Sequence, residues 1–529
     1  MIWTIAKKEL LVHIKSMRFG IALVLCSSVI ALSAYVSGLD YAKRLSAYNS
    51  AVERHRQALR QVKVYSYLRP VVDLPPTPLS IFSRGVERNL PHSITLSHAH
   101  IPTILSGEME KSPLSLFADP HFFLPGLFSL DIFQYSTKNP LLSALSSFDI
   151  ASVIGILLSL FALLLTFDAV SGERERGVLA LELSNPVSRG EVFLGKYLGA
   201  FLALLFPLGI GFAIVLLVMG LSPSIKLGPE EISGIALIFG ISLLYVSSFL
   251  MLGLFVSSSS KEASTSLIVL LVVWAVFVVV VPSGTGYFLS GRFPRDAWGK
   301  LQREVDALWR EFRKKEGEIR KKLPFRGVKA VTTQEEDGKM SVLVGSSEAL
   351  LSILEQNKRI EPLRVEYALK EWRLYQEHLR PLMRWASLVK EVSRISPTSQ
   401  YSNAISAVAG TDLEGYESFV RQARTYREKL VEFLRDKFGT LRYFTPIKRE
   451  EMMPAEKVME LLRGGLSSFS WDDVEPVDIS GLPSFVVSRP GPTEGLGRAS
   501  VDIGLLALFN VLFFLLGYLM FIRYDARWS

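Results

Sequence analysis

The chain has 529 residues, of which 49% are apolar and 21% charged, with a mean hydropathy of +0.29 and a formal net charge of +8. Apolar and charged residues fall into separate blocks, and several apolar runs reach about 20 residues, enough to cross the hydrocarbon layer as helices. A soluble protein is excluded, and so is a disulfide-stapled secreted one, because the single cysteine, Cys26, lies inside the first apolar run.

Residues 1–18 carry Trp3, Ile5, Leu10, Leu11 and Ile14 on one side and Lys8 and Lys15 on the other. That pattern predicts an interfacial elbow helix that lies along the membrane before the chain enters it. The first span follows at 19–38, its apolar run covering Phe19–Tyr35. It reads as a retained anchor and not a cleaved signal peptide, since helical residues precede it and Ser33–Ser37 is a poor cleavage site.

The block 39–147 is too long to be a simple connection. It begins with an expected helix from about Tyr41 to Tyr67. It also holds an oily, proline-broken stretch, Phe122–Phe128, and four of the seven histidines, His92, His98, His100 and His121. On a strand His98 and His100 would share a face, and with Glu108 or Asp119 they could bind a borderline metal. Scattered surface histidines are the alternative, so no metal is expected.

Residues 148–281 contain four further runs, Ile150–Phe167, Leu198–Leu221, Ile235–Val256 and Leu267–Val281. A second large block, 282–502, reads as mainly helical. Trp298, Leu301, Val305, Leu308, Trp309 and Phe312 recur at three-four spacing. A second stretch runs from Val365 through Trp372 to Met383, with a bend expected at Pro381, and a third runs from Tyr416 to Leu434. Each has one apolar stripe and needs a partner, so the helices are expected to pack together. Met340–Val344 alternates briefly, and Pro and Gly cluster at 482–497, suggesting a loose return to the membrane. The sixth span occupies 503–522 and the tail 523–529. The expected fold is an all-α integral membrane protein with six transmembrane helices and two large extracytoplasmic insertions.

With both termini cytoplasmic, the short inner segments carry 11 Lys and Arg in 64 residues, against 8 in 70 for the outer loop and the flanks of the long blocks. The excess agrees with the positive-inside rule. Net charge distributed in this way argues for membrane lipid as a neighbour and against nucleic acid.

The inner loop 168–196 is ordered by its sequence. The charged run Glu173–Arg176 leads into a short amphipathic piece with Val178, Leu179, Leu181 and Leu183, which Asn185-Pro186 ends. Ser188 and Glu191 then form a capping box for the next helix. The opposite charges of Glu173–Arg176 can pair either with a partner or with the ends of neighbouring spans.

The stretch Ser171-Gly-Glu-Arg-Glu-Arg-Gly-Val-Leu, continuing through Leu183-Ser-Asn-Pro-Val-Ser-Arg-Gly-Glu-Val-Phe-Leu-Gly-Lys, resembles permease subunits of ABC exporters of the second type, in the branch of copper-enzyme maturation and gliding-motility permeases. Ala6-Lys-Lys-Glu-Leu, the six spans and the inside termini match as well. The resemblance covers roughly 1–38, 148–281 and the last span. It implies a homodimer or a paired paralogue around one pathway, lined by the first, second and fifth spans and driven by a separate ABC ATP-binding subunit. It also implies that Glu173, Arg174, Glu175, Arg176, Gly177, Leu179 and Leu183 form the segment coupled to that ATPase. The outer blocks are larger than in typical relatives.

What the sequence lacks agrees with that. No Walker-type loop is present, and charged side chains fill Gly172–Gly177 where phosphate would sit. The spans hold almost no ionisable interior residues of the kind that ion-coupled carriers use. No cofactor is expected in this chain; ATP and Mg would be bound by the partner. The expected function is an ATP-driven exporter permease, with a membrane-anchored structural or sensory protein as the alternative. The outer helices, with Trp298, Trp309, Trp372 and Trp385, are expected to form a cap over the pathway or a stabilising module.

Overall fold

The computed structural model describes residues 1–62, 70–89, 92–95, 149–289, 297–323, 325–326, 347–438, 476 and 478–523. Among them, six helices are long and apolar enough to cross a membrane, which makes the chain an all-α integral membrane protein. The stretches Phe122–Phe128 and Met340–Val344, and His98, His100, His121, Glu108 and Asp119, lie outside the described residues.

Helix α1 (Ile2–Lys15) ends at Ser16, an extended residue that also opens α2 (Met17–Arg60) by accepting a hydrogen bond from the Phe19 N–H at 3.2 Å. The first span and the helix expected after it are therefore one 44-residue element, about 66 Å long and more than twice the hydrocarbon thickness. The second span, α3, is Ile150–Val153 and Ser159–Thr166 joined by a π-helical turn, Ile154–Leu158. Two short helices follow, α4 (Ser171–Glu175) and α5 (Val178–Leu183), and then the spans α6 (Arg189–Leu221) and α7 (Pro229–Ser259). The fifth span, α8 (Ala263–Trp274), continues through a second π-helical turn, Ala275–Val280, into Val281–Phe288.

The long connections carry α9 (Ala297–Lys322), α10 (Ser347–Ser393), α11 (Pro397–Ala409) and α12 (Leu413–Phe438), and α13 (Pro492–Ile522) is the last span. The three apolar stripes of the sequence fall on α9, α10 and α12. Helix α10 runs unbroken through Pro362 and Pro381. Helices α9 and α10 pair through Leu301, Val305, Trp309, Phe312, Ile360 and Tyr367. The side chains of Trp298 and Trp372 are outside the description.

Residues from the two long connections share one body. An antiparallel ladder of β1 (Val71–Asp73) and β2 (Ser93–Thr95) places Val72 and Leu74 against Tyr416, Phe419 and Tyr426 of α12. Leu59 and Val62 beyond the end of the first span pack beside Leu430. Arg489 pairs with the buried Glu87 at 2.7 Å.

Helix α11 departs from the sequence reading, which kept 282–502 wholly outside the bundle. Tyr401, Ala404, Ile405 and Val408 are buried in the same core as Leu158, Tyr245, Leu250 and Leu506 of the spans. The Tyr401 ring stacks on Tyr245 at 4.3 Å. Both π turns meet it there. The Gly155 carbonyl of the first turn accepts from Tyr245 Oη at 2.7 Å, and Tyr245 Oη lies 3.0 Å from Thr398 Oγ1. The Phe277 carbonyl of the second accepts from Ser396 Oγ, the cap of α11.

In the N-terminal half of α13, Arg394 holds the buried Asp502 in two bonds, Nε to Oδ1 at 2.8 Å and Nη2 to Oδ2 at 3.0 Å. Removing one partner strands a buried charge. Asp502→Ala should cost about 3–5 kcal/mol and lower the melting temperature of the purified protein. The double variant Arg394→Met/Asp502→Leu should recover most of that loss; equal melting of wild type and Asp502→Ala would show that the pair bears no load.

Candidate functional site

The face that carries the termini gathers ionisable residues of α1, α4, α5 and α6 into one cluster. Lys196, on the third turn of α6, is 1% exposed. Its Nζ lies 2.6 Å from Glu173 Oε2 of α4, 3.2 Å from Glu9 Oε1 of α1 and 3.5 Å from Glu182 Oε2 of α5. Lys8 closes the set, 3.0 Å from Glu182 Oε1 and 3.6 Å from Glu9. The oxygens of the three carboxylates lie within 4.8 Å of one another, a spacing that could suit a metal. The Lys196 ammonium, paired with all three, already supplies the cation.

Close approach of α1 to α6 makes the cluster possible. A Cβ on Gly199 would sit 2.4 Å from Glu9 Cβ, and one on Gly195 would sit 2.7 Å from Ile5 Cβ. Gly195 and Gly199 are one turn apart and form a small-residue groove that seats α1.

Arg174 and Glu175 of the charged run are also tied to neighbouring spans. Arg174 donates to the Ser260 carbonyl at 2.9 Å and to the Ser258 carbonyl at 3.2 Å, capping the end of α7. Glu175 accepts from the Ala263 N–H at 3.3 Å, at the first turn of α8. A cation at a helix C-terminus and an anion at an N-terminus both match the helix dipole. Ser257 Oγ accepts the N–H groups of Val170 and Ser171, each at 3.1 Å. Below them Arg18 pairs with Asp168 at 2.9 Å and stacks on Phe167.

Gly177 links α4 to α5 with φ of +71°, a left-handed conformation that a side chain would strain. The turn rotates α5 so that Leu179 is fully buried and Leu183 partly buried, against Val170, Val192, Phe193 and Leu254. Val178 and Leu181 are left 42% and 71% exposed. The capping box holds as expected: Glu191 N–H donates to Ser188 Oγ at 3.2 Å, and Ser188 N–H donates to Glu191 Oε2 at 3.0 Å.

Of the residues singled out in the sequence, Glu173, Arg174 and Glu175 fix the loop to the spans, Leu179 and Leu183 anchor it, and Arg176 stays exposed. Sequence reasoning passed over Glu9, Glu182 and Lys196. The readable signals were a cation near the start of an otherwise apolar span and the Gly195-x-x-x-Gly199 spacing.

Six spans with a charged, internally tied loop on the face of the termini are the architecture of a transporter's membrane part. The family profile described as "ABC-2 family transporter protein" matches residues 3–526, and the chain belongs to that family. It is 38% identical over 132 residues to the "Probable ABC transporter permease protein NosY" of Pseudomonas aeruginosa, covering 25% of this chain and 48% of that one. It is 36% identical over 142 residues to the protein of the same description from Stutzerimonas stutzeri, again covering 25% of this chain and 48% of that one. The chain thus spans about half the length of the curated relatives it matches.

Two outcomes test the cluster. Lys196→Ala leaves Glu173 without its cation, and Glu9 and Glu182 with Lys8 alone, and should cost about 3–5 kcal/mol; a melting temperature equal to wild type would dismiss the network. The second outcome is pH dependence. Burial pushes the Glu182 carboxyl up, but Lys196 and Lys8 outweigh it and hold it below its ordinary value of 4.5. Burial works against the Lys8 ammonium, yet Glu182 and Glu9 outweigh it and raise it above 10.5. A depressed carboxyl stabilises fully above its ordinary value, and that contribution is lost as pH falls through the folded one; a raised ammonium stabilises fully below its ordinary value and is lost only above it. Burial outweighs Lys196 at Glu173 and raises its carboxyl above 4.5, so the fixed window starts higher than Glu182 alone would set it. Spin labels at the exposed Lys7 and Ser184 should therefore report a fixed distance from about neutral pH to about pH 10 and a broadened one in acid. Glu182→Gln should be broad throughout, and a narrow distribution down to about pH 2 in wild type would contradict the assignment.

Proposed function

We propose that this chain is the permease subunit of an ATP-driven ABC exporter. It forms the membrane pathway with a second copy of itself and takes its energy from a separate ATP-binding subunit, which holds ATP and Mg. Both termini lie in the cytoplasm, and the body built from the two long connections lies outside, as a cap over the pathway.

One observation carries the reading. The segment α4–Gly177–α5 ties Glu173, Arg174, Glu175 and Glu182 to four separate helices and leaves the apolar side chains of Val178 and Leu181 uncovered on the face of the termini. A rigid handle with an apolar tip suits docking into a groove of a partner. Family membership points to an ATP-binding chain as that partner. The first, fifth and sixth spans, buried over only 28%, 17% and 22% of their apolar windows, leave room for a second copy.

Co-purification from membranes tests this. Wild-type chain should bring down an ATP-binding subunit in equal amount, two copies of each per particle. Val178→Glu/Leu181→Glu should leave the permease folded, with unchanged melting, and abolish recovery of the ATPase. Recovery of the intact chain without an ATPase, or undiminished recovery with the double variant, would overturn the reading.

A further inference from the structure

Residues 484–488 run extended beside α12, with Phe485 and Val487 turned in and Ser484, Val486 and Ser488 turned out. Phe485 packs on Phe419 and Tyr426, and Val486 is 80% exposed. This alternation is that of a strand. At Ser488 the N–H donates to Gln422 Oε1 at 2.8 Å and the carbonyl accepts from Gln422 Nε2 at 2.7 Å. A side-chain amide thus makes the two bonds that the peptide group of a neighbouring strand would make.

Residues two apart in a strand present their N–H and C=O to the same edge. Ser484 and Val486 therefore share the edge that Gln422 has begun to pair. Among the described residues, no hydrogen bond reaches the backbone of either. That edge opens on a cavity of about 310 Å³ between the extended segment and α12, lined by Arg421, Thr425 and Lys429 on the helix side. Arg421 and Lys429 have no ion-pair partner among the described residues, and Glu417 is the acid whose charge reaches Arg421. The two cations are eight residues apart on one helix, about 12 Å. Alternate side chains of a strand at positions i and i+4 are about 13 Å apart on one face.

We propose that this slot receives an extended segment of another protein, added as a strand to Ser484 and Val486, with acidic side chains at positions i and i+4 that meet Arg421 and Lys429. Main-chain pairing would supply affinity and the two cations would set the charge preference.

The test uses the full chain in lipid nanodiscs and a fluorescein-labelled peptide, Glu-Val-Thr-Val-Glu-Val-Thr, followed by anisotropy. Saturable binding is expected below about 1 mM. Val486→Pro, which removes the N–H, and Arg421→Glu/Lys429→Glu should each weaken it about tenfold or more. Val486→Thr, which keeps the N–H, should bind like wild type, and a peptide with Lys for both Glu should bind as poorly as the charge variant. Absence of saturation, or equal binding by the charge variant, would overturn the proposal. So would a fall in the particle mass of Val486→Pro at unchanged helix content, because the edge would then be covered by a second copy of the chain.

Discussion

A buried lysine ringed by three carboxylates is the constraint on which the face of the termini is arranged. Lys196 is buried, where an isolated ammonium would be costly, so its partners have to come to it. They come from α1, α4 and α5. Alone, α5 is six residues long and α4 five, far too short to be stable as isolated helices. Their shape is imposed from outside, by the ion pairs, by the buried Leu179 and by the capped ends of α7 and α8. Truncating any one carboxylate would alter the charge balance for all the others, so the loop behaves as a single piece.

The bundle interior follows a different rule. Backbone carbonyls in hydrocarbon must find donors within the protein. The π turns in α3 and α8 each free a carbonyl, and both carbonyls are taken by hydroxyl groups at or around α11. An element that looks too polar for a membrane core is seated there because the spans offer acceptors to match its serines, threonine and tyrosine. Ser242 Oγ, 3.0 Å from Tyr401 Oη, extends the same arrangement into α7.

The limits of sequence reading follow from these two rules. Apolar runs of span length identify the six membrane helices without any knowledge of contacts. Ser188 and Glu191, three residues apart, identify the start of α6 because the interaction is local. Lys196 and Glu9 are 187 residues apart, and neither periodicity nor composition links them. Pro397–Ala409 has 13 residues, too few to span, and its serines and asparagine give it the look of an exposed helix. The division of the charged run was open for the same reason. Adjacent opposite charges are compatible with inward or outward pairing, and only the positions of Ser258, Ser260, Ala263 and Lys196 decide it.

The two faces are joined by α13. At its C-terminal end the Ile522 carbonyl accepts from Arg189, and Phe193 packs on Phe514, Tyr518 and Phe521. Both Arg189 and Phe193 belong to the first turns of α6, within two turns of Lys196. In its N-terminal part Arg394 clamps Asp502, and a Cβ on Gly495 would lie 2.3 Å from the Ala407 carbonyl of α11. Arg498, between these two contacts, pairs with Asp412 at 2.9 Å and donates to the Ala407 carbonyl at 3.2 Å. The helix is continuous over 31 residues, about 46 Å, with no proline after its first turn. An unbroken helix fixed at both ends transmits displacement along its axis; a kinked or loosely seated one absorbs it. The start of α6, the seat of α11 and the body beyond it are therefore mechanically one assembly, with the ion cluster at one end and the Arg394–Asp502 clamp at the other.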